Sequence, residues 1–475
     1  MAEHRVLTLD ELNILRRLER LPMSWFQARL LLMGGLGFTF DAADTAVLAF
    51  IFPTVKKLFN LSSTQVGLLG SSSLMGFLIG AFLAGTLGDI IGRKRVMMYA
   101  LALYSFASLL AACSQSFEFL FSTRLIAGIG TGAESTIIAP FLAEFIQSKY
   151  RGRFLGSLSG FFSFGFVLAA LLGYAVVPAT GAGWRIVQVL TALPIVMLLW
   201  WRRALPESPR WLIQQGRFLE AEQVVSAIEA EVQQRTLRPL PDIDCVPTPP
   251  AIFRRSGSLL ENLRALFSPS MLKNTAMLWV LWISITFAFY GFFTWIPTLL
   301  VNQGLTITKS FAYSIIIYLA QIPGYYSAAF LNEKLDRKWT IILYMVSGGI
   351  SAFLLANAKD EKMITATGFF LSFFMNGTYA GIYAYTPEVY PTAFRTTGMG
   401  VASAFGRIGG ILAPIIIGVT FTTIGFAGVF SITTGVLIAG ALVVGIMGIR
   451  TTGKTLEQIT DEELRAARPL EASSD

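Results

Sequence analysis

The stretch Gly85-Thr-Leu-Gly-Asp89-Ile-Ile-Gly-Arg-Lys94 sets a short charged turn between two long apolar runs. Moving 244 residues along the chain, Glu333 stands in the place of Asp89, Arg337 in that of Arg93 and Lys338 in that of Lys94. The same offset carries Pro53 onto Pro297, Glu144 onto Glu388, Arg151 onto Arg395 and Gly156 onto Gly400. One constant shift matching this many positions in chemistry signals an internal duplication, with each copy close to half the chain. The second loop departs at one place, carrying Asp336 where the first has Gly92.

Working outward, the chain has 475 residues, of which 54% are hydrophobic and 14% charged. An ordinary soluble domain carries about 25% charge, and the mean hydropathy here is +0.61. Uncharged runs such as Asn60–Gly88, Phe154–Gly183 and Asn274–Thr308 exceed the roughly 20 residues that cross a bilayer. A soluble enzyme is excluded. The first 28 residues are polar and mixed in charge, unlike a secretory signal. Twelve apolar spans are predicted, centred near 40, 77, 105, 131, 165, 193, 286, 321, 349, 375, 409 and 437. The fold class is thus an all-α polytopic membrane protein.

The net charge of +8 follows from topology and gives no footprint for nucleic acid. With both termini in the cytoplasm, only Lys56, Lys57, Arg185, Lys309, Lys359 and Lys362 fall outside, and Arg124 and Arg407 fall within spans. The other basic residues are cytoplasmic, the asymmetry that fixes orientation; a bacterial inner membrane is the expected home. Cys113 and Cys245 lie on opposite sides and form no disulfide.

Expected boundaries are 1–27 for a cytoplasmic N-terminal helix, 28–202 and 274–449 for two six-helix bundles, 203–273 for a cytoplasmic linker with short helices, and 450–475 for a cytoplasmic tail. Thr8 and Glu11 suit a capping box. Leu9, Leu12, Leu15 and Leu18, beside Arg16, Arg17 and Arg20, then suggest a helix lying on membrane lipid. In the linker a helix is predicted over 217–235, before a Pro-rich stretch from Pro239 to Pro250. Gly76/Gly80 and Gly156/Gly160 have the spacing of close helix packing.

Gly85–Lys94 resembles the signature loop of the major facilitator superfamily. Arg124-Leu-Ile-Ala-Gly-Ile-Gly-Thr-Gly132, Lys149-Tyr-Arg-Gly-Arg153 and Pro206-Glu-Ser-Pro-Arg-Trp-Leu212 resemble its sugar and organic-ion branch. More narrowly, Phe40-Asp-Ala-Ala-Asp44, Gln321-Ile-Pro-Gly-Tyr-Tyr-Ser-Ala-Ala329, Tyr383-Ala-Tyr-Thr-Pro-Glu-Val-Tyr-Pro-Thr392 and Ala404-Phe-Gly-Arg-Ile-Gly-Gly410 resemble the bacterial niacin permeases. Those are relatives of the synaptic-vesicle glycoprotein transporters. The resemblance runs from about residue 8 to 450. It implies twelve helices in two halves related by pseudo-twofold symmetry, with substrate bound between them near the midplane.

Charges inside a bilayer are functional candidates by default. A helix starting near Thr397 puts Arg407 about 15 Å along, near the midplane. Guanidinium grips a carboxylate with two parallel hydrogen bonds; the alternative is an internal pair with a buried carboxylate. In the organic-ion transporters that the chain resembles, the matching position is Arg in anion carriers and acidic in cation carriers. Gly406, Gly409 and Gly410 leave room there for a ligand or a close helix. Tyr290, Phe289, Phe293 and Trp295 in span 7, Asn376, Tyr379 and Tyr383 in span 10, and Gln321 in span 8 are candidates to hold a flat ring and its polar atoms. Asp41 and Asp44 share a helix face and, with Glu134, are candidate proton carriers. Asp41 equally suits a helix break or a pair with Arg124. Asp89, Arg93, Glu144, Arg151 and their mirrors Glu333, Arg337, Glu388 and Arg395 are candidates for a cytoplasmic gate of ion pairs that break as the halves rock.

The reading that results is a secondary transporter, expected as a monomer, importing a small aromatic monocarboxylate, most simply nicotinate, with protons. Alternatives are another aromatic-acid or organic-anion carrier, a multidrug or organic-ion exporter, a sugar carrier, or a transporter-like sensor. No catalytic set, metal cluster or cofactor-binding loop is written in the chain.

Overall fold

The computed structural model describes residues 8–236, 239–243, 259–390 and 395–451, and every regular element among them is helical. Ten stretches are long and apolar enough to cross a membrane. One of them, within α17 (Arg395–Met447), breaks at Gly425, whose φ of 64° and ψ of −167° no helix allows, and so makes two crossings. With α16 (Glu361–Val389) the crossings among the described residues number twelve, and each predicted centre falls inside one.

The others are α2 (Trp25–Leu58), α3 (Ser63–Ile91), α4 (Arg93–Ala112), α5 (Phe117–Ala143), α6 (Ser148–Val176), α12 (Leu272–Asn302) and α15 (Arg337–Ala356), with two in pieces. The sixth crossing passes from α7 (Gly183–Thr191) through a 3-10 turn at Leu193–Val196 into α8 (Met197–Ala204). The eighth joins α13 (Ile307–Leu319) to α14 (Gln321–Leu335). Both interruptions lie at prolines, Pro194 and Pro323, which have no N–H to continue the ladder.

The chain divides into two compact units, residues 1–51 with 72–254, and residues 52–71 with 255–475. Placing 52–71 with the second unit departs from the boundary read off the sequence. Glycine is the reason: Gly67 and Gly70 let their helix approach Pro414, where a Cβ on Gly70 would stand 2.9 Å from Thr294 and 3.2 Å from the Pro414 ring. Ser71 Oγ seals the approach by donating to the Ile411 carbonyl at 2.6 Å.

In the first unit, α3 and α5 pack backbone to backbone. A Cβ on Gly76 or Gly80 would run into the carbonyls of Leu125 or Ile129, and one on Gly128 or Gly132 into those of Ser73 or Phe77. Gly156, expected to serve similarly, has nothing within 4 Å of its Cβ position.

The helix α1 (Leu9–Glu19) begins at the expected capping box, with Thr8 N donating to Glu11 Oε2 at 2.8 Å and Glu11 N to Thr8 Oγ1 at 3.3 Å. Of the leucine face that the sequence suggested would lie on lipid, Leu9 is exposed but the other three leucines are covered by protein. Leu12, Leu15 and Leu18 are buried in one core with Trp211 and Leu212 of α9 (Pro209–Gln214) and Val225, Ile228 and Val232 of α10 (Phe218–Thr236). Arg17 and Arg20 close the edge by donating to Glu229 at 2.6 and 2.7 Å. Burial alone would raise the Glu229 carboxyl, but those two arginines hold it below the usual glutamate range. A single helical face looks the same whether it is covered by lipid or by another helix, and here α10 supplies the cover.

In the second unit the end of α17 is tied down. The Tyr385 hydroxyl accepts from Ile449 N at 2.9 Å and donates to Ile449 O at 3.0 Å. Lys338 Nζ reaches the Gly448 carbonyl at 2.8 Å, and Thr451 N donates to Asp336 Oδ2 at 3.2 Å.

Candidate functional site

The long helices α12, α16 and α17 bring together most of the residues singled out around Arg407. Arg407 Nη1 donates to the Tyr290 hydroxyl at 3.0 Å. The rings form a continuous wall. Tyr379 and Tyr383 lie 6.2 Å apart, Phe289 stands edge-on to Tyr379 at 5.2 Å and to Tyr290 at 5.3 Å, and Phe293 is 4.5 Å from Phe289.

Two members of this wall escape a reading of the sequence. The Trp282 ring is perpendicular to Tyr383 at 5.3 Å, and its Nε1 donates to Thr386 at 3.0 Å. Thr286 accepts from the Tyr379 hydroxyl at 3.3 Å and donates to the Trp282 carbonyl at 2.6 Å. Trp282 is one turn before Thr286 and two before Tyr290, so all three share a face of α12. That periodicity was the available signal, hidden in a run where nearly every residue is apolar.

Gly406, Gly409 and Gly410 resolve toward a close helix. A Cβ on Gly406 would meet Thr286 Oγ1 and the Trp282 ring at 3.0 Å, one on Gly409 the Ile283 carbonyl at 2.6 Å, and one on Gly410 the Tyr290 ring at 2.9 Å. The glycine row therefore seats α12 against α17 and delivers Tyr290 to Arg407.

Three candidates stand apart from this cluster. Trp295 donates to the Pro414 carbonyl at 3.2 Å, two turns beyond Arg407 along α17. Asn376 is buried and donates to the Ser372 carbonyl of its own helix at 3.1 Å. Gln321 is buried at the start of α14, and among the described residues neither of its amide atoms has a hydrogen-bond partner.

In the first unit the acidic candidates separate into two environments. Asp44 pairs with Arg124 in two parallel bonds, Nη1 to Oδ1 at 3.0 Å and Nη2 to Oδ2 at 2.7 Å. Ser108 adds a bond to Oδ1 at 2.7 Å, and Arg124 Nη1 also reaches Gln188 Oε1 at 3.2 Å. It is Asp44, then, that pairs with Arg124. Among the described residues Asp41 accepts from Ser135 alone, at 2.6 Å, and Oδ1 of Asp41 and both oxygens of Glu134 find no hydrogen-bond partner.

The mirrored charged residues form ion pairs inside each unit. Arg93 pairs with Glu144, which also accepts from Ser208, and Arg337 pairs with Glu388 at 3.1 Å. The duplication reaches the hydrogen bonds: Arg151 donates to the Ile146 carbonyl and Arg395 to the Tyr390 carbonyl, each at 3.2 Å. Arg151 also lies 3.9 Å from Glu19. Asp89 and Glu333 have side chains outside the described residues.

Comparison with known proteins matches this arrangement to one family. Residues 33–462 match the family described as "Sugar (and other) transporter". The chain is 38% identical to the "Niacin transporter NiaP" of Acinetobacter baylyi, over 94% of this chain and 100% of that one. It is 26% identical to the "Synaptic vesicle 2-related protein" of Xenopus laevis, over 96% of this chain and 84% of that one. Among solved structures, the partially occluded inward-open xylose transporter XylE of Escherichia coli superposes with a TM-score of 0.73 at 19% identity, covering 91% of this chain and 100% of XylE. The chain belongs to the Sugar (and other) transporter family, a multi-pass membrane transporter and not an enzyme, with the major facilitator fold of twelve helices in two six-helix halves.

Proposed function

We propose that the chain imports a small aromatic monocarboxylate, most simply nicotinate, by alternating access in a bacterial inner membrane. The observation that carries this reading is the Arg407 guanidinium seated on Tyr290 beside the rings of Tyr379, Tyr383, Phe289 and Trp282. A cation suits the carboxylate, and aromatic edges and faces suit a pyridine ring. The niacin transporter of Acinetobacter baylyi, similar along its whole length, supports the same substrate. An acceptor site for cations would need the opposite charge at 407, which disfavours organic-cation export.

Import is coupled to protons in this reading, and the chain acts as a monomer with both termini in the cytoplasm. Carrying one negative charge inward against an inside-negative potential costs about 2.3 kcal/mol per 100 mV. One proton moving with it removes that cost, and Asp41, Asp44 and Glu134 are the carboxylates available to carry it. Glu144, Glu388 and their arginines stiffen each half at its charged end, so that the halves rock as bodies.

The test is uptake of labelled nicotinate into proteoliposomes, with and without an inward proton gradient, for the wild type and Arg407→Ala. Gradient-stimulated uptake that vanishes in the variant is expected. Uptake that survives in Arg407→Ala removes the anion site from this position, and none in the folded wild type removes nicotinate.

A further inference from the structure

The short helix α9 carries an arginine that the fold leaves unmatched. Ser208 caps the helix by accepting from Trp211 N at 3.0 Å, and it also donates to Glu144. Trp211 and Leu212 are pinned in the core shared with α1 and α10, and Arg210, next to them, is held at its edge. Arg210 is half-buried, and its Nε is sealed from solvent. Among the described residues no ion pair or side-chain hydrogen bond engages its guanidinium.

The charges acting on Arg210 do not balance it. Burial lowers its guanidinium from the ordinary arginine range and Arg151 of α6 lowers it further, while Glu19 of α1 acts against them. Glu19 is shared, standing 3.9 Å from Arg151 Nη2. Arg151 is fixed in place, because Nε and Nη2 donate to the carbonyls of Ala143 and Ile146, each at 3.2 Å. Other acids on these segments are taken. Glu144 is held by Arg93 and Ser208, and Glu207 Oε1 accepts from Lys94 N and Ser208 N at 3.2 and 3.1 Å. The first turn of α6 has no acidic residue and carries Lys149, so the positive end of its dipole adds to the excess.

Two guanidiniums that share one carboxylate leave a positive charge over. A partly desolvated cation without a partner is costly, and like charges at close range repel. A phosphate supplies what is missing. It brings a full negative charge, and its oxygens, set at the corners of a tetrahedron, accept from the forks of two arginines at once. A carboxylate has only two oxygens and repeats what Glu19 already gives. Lys149 and Arg153, exposed on either side of Arg151, would draw such an anion in from a distance.

We propose that Arg210 and Arg151, with Glu19 as a resident competitor, form a phosphate-binding site, filled by inorganic phosphate or by the headgroup of an anionic phospholipid. All three residues belong to the first unit, whereas Arg407 belongs to the second, and the site does not depend on which substrate is carried. No covalent bond is made or broken; the anion replaces water and loosens the hold of Glu19 on Arg151. Glu19 ends α1, Arg151 lies in the first turns of α6 and Arg210 is in α9, so an anion bound there ties these three elements together.

Thermal unfolding of the purified full chain tests this in two settings. In detergent, inorganic phosphate replaces chloride at constant ionic strength. In nanodiscs, phosphatidylglycerol replaces phosphatidylcholine, whose phosphate is already matched by its own choline. A saturable rise in melting temperature is expected for the wild type. A rise in detergent shows that free phosphate suffices, and a rise confined to phosphatidylglycerol assigns the site to the lipid headgroup. In either setting Arg210→Gln should abolish the rise and Arg210→Lys should restore part of it. Without the anion Arg210→Gln should melt no lower than wild type, because it removes an unmatched charge; an arginine with a purely structural role would lower it. Glu19→Gln removes the competitor and keeps both arginines, so its half-maximal rise should need about two- to five-fold less of the effective anion. This variant carries the test if Arg210→Gln does not fold. No rise for the wild type in either setting, the same rise in Arg210→Gln, or an unchanged anion requirement in Glu19→Gln overturns the site.

Discussion

Gly92 and Asp336, 244 residues apart, adopt the same backbone conformation, with φ and ψ of 101° and 145° for the glycine and 88° and 143° for the aspartate. Glycine reaches this region freely, and a residue with a Cβ does so at a cost of about 1–2 kcal/mol. In the first copy a side chain would also stand 2.8 Å from Glu207 Oε2, so that carboxylate would have to shift as well. In the second, the Asp336 carboxylate compensates by accepting from Lys338 N at 2.8 Å and Thr451 N at 3.2 Å. Asp336→Ala therefore keeps the strain and loses both bonds. It is expected to destabilise the protein by about 1–3 kcal/mol. Asp336→Gly, which loses the bonds and the strain together, should lie much closer to wild type. Thermal unfolding of purified protein in detergent orders the two.

Conservative changes at the anion site are expected to be harmful. Lysine at 407 keeps the charge but not the planar fork, so Arg407→Lys should reduce kcat/KM for uptake at least ten-fold, equivalent to about 1.4 kcal/mol. Tyr290→Phe removes the hydroxyl that orients the guanidinium and should weaken uptake by a similar factor. Trp295→Phe, two turns away on Pro414, should leave KM within two-fold. Initial-rate uptake against substrate concentration separates these outcomes.

The buried Asp44–Arg124 ion pair predicts an asymmetry between single and paired changes. Arg124→Leu or Asp44→Leu alone strands a buried charge, and each should cost about 3–5 kcal/mol and lower the yield of monodisperse protein sharply. The double variant should recover much of that yield. Size-exclusion profiles of the three proteins give the result.

Glycine positions predict a contrast that similarity of sequence spacing conceals. Gly80→Val, aimed at the Ile129 carbonyl, should prevent the α3–α5 contact and abolish folded protein, whereas Gly156→Val, with open space at its Cβ, should fold. Expression and detergent extraction of the two variants suffice to compare them.

The clasp of α1 on α10 should loosen in acid. Because the Glu229 carboxyl is held below the usual glutamate range by Arg17 and Arg20, its contribution is complete above about pH 4.3 and is lost as the pH falls through the depressed value. Hydrogen exchange in residues 9–19 should rise over that acid window. Glu229→Gln should show the faster exchange already at neutral pH.

How far the chain could be read in advance depended on the kind of signal. Apolar runs separated by charges give all twelve crossings, because the thickness of a bilayer sets their length whatever lies next to them. The duplication was legible through charged residues, which tolerate few positions in a membrane. Trp282 and Thr286 were missed because an aromatic in a uniformly apolar helix carries no mark of which neighbour it faces. The Leu12, Leu15 and Leu18 face was read as lipid-facing for a related reason. Asp44 and Asp41 are three residues apart and look alike in sequence. The difference between them arises from Arg124, Ser108 and Ser135, residues that lie 64 to 94 positions away.

The fastening of Gly448, Ile449 and Thr451 to Lys338, Tyr385 and Asp336 has a practical consequence. A fastened end can serve as a pointer: a fluorophore attached at the exposed Arg450, between the fastened Ile449 and Thr451, would share the orientation of α15 and α16 instead of swinging on a leash. Polarised emission from such a label should then report the tilt of the second unit in a supported bilayer, and cutting the Tyr385 bracket with Tyr385→Phe should blur that readout while the helices themselves stay in place.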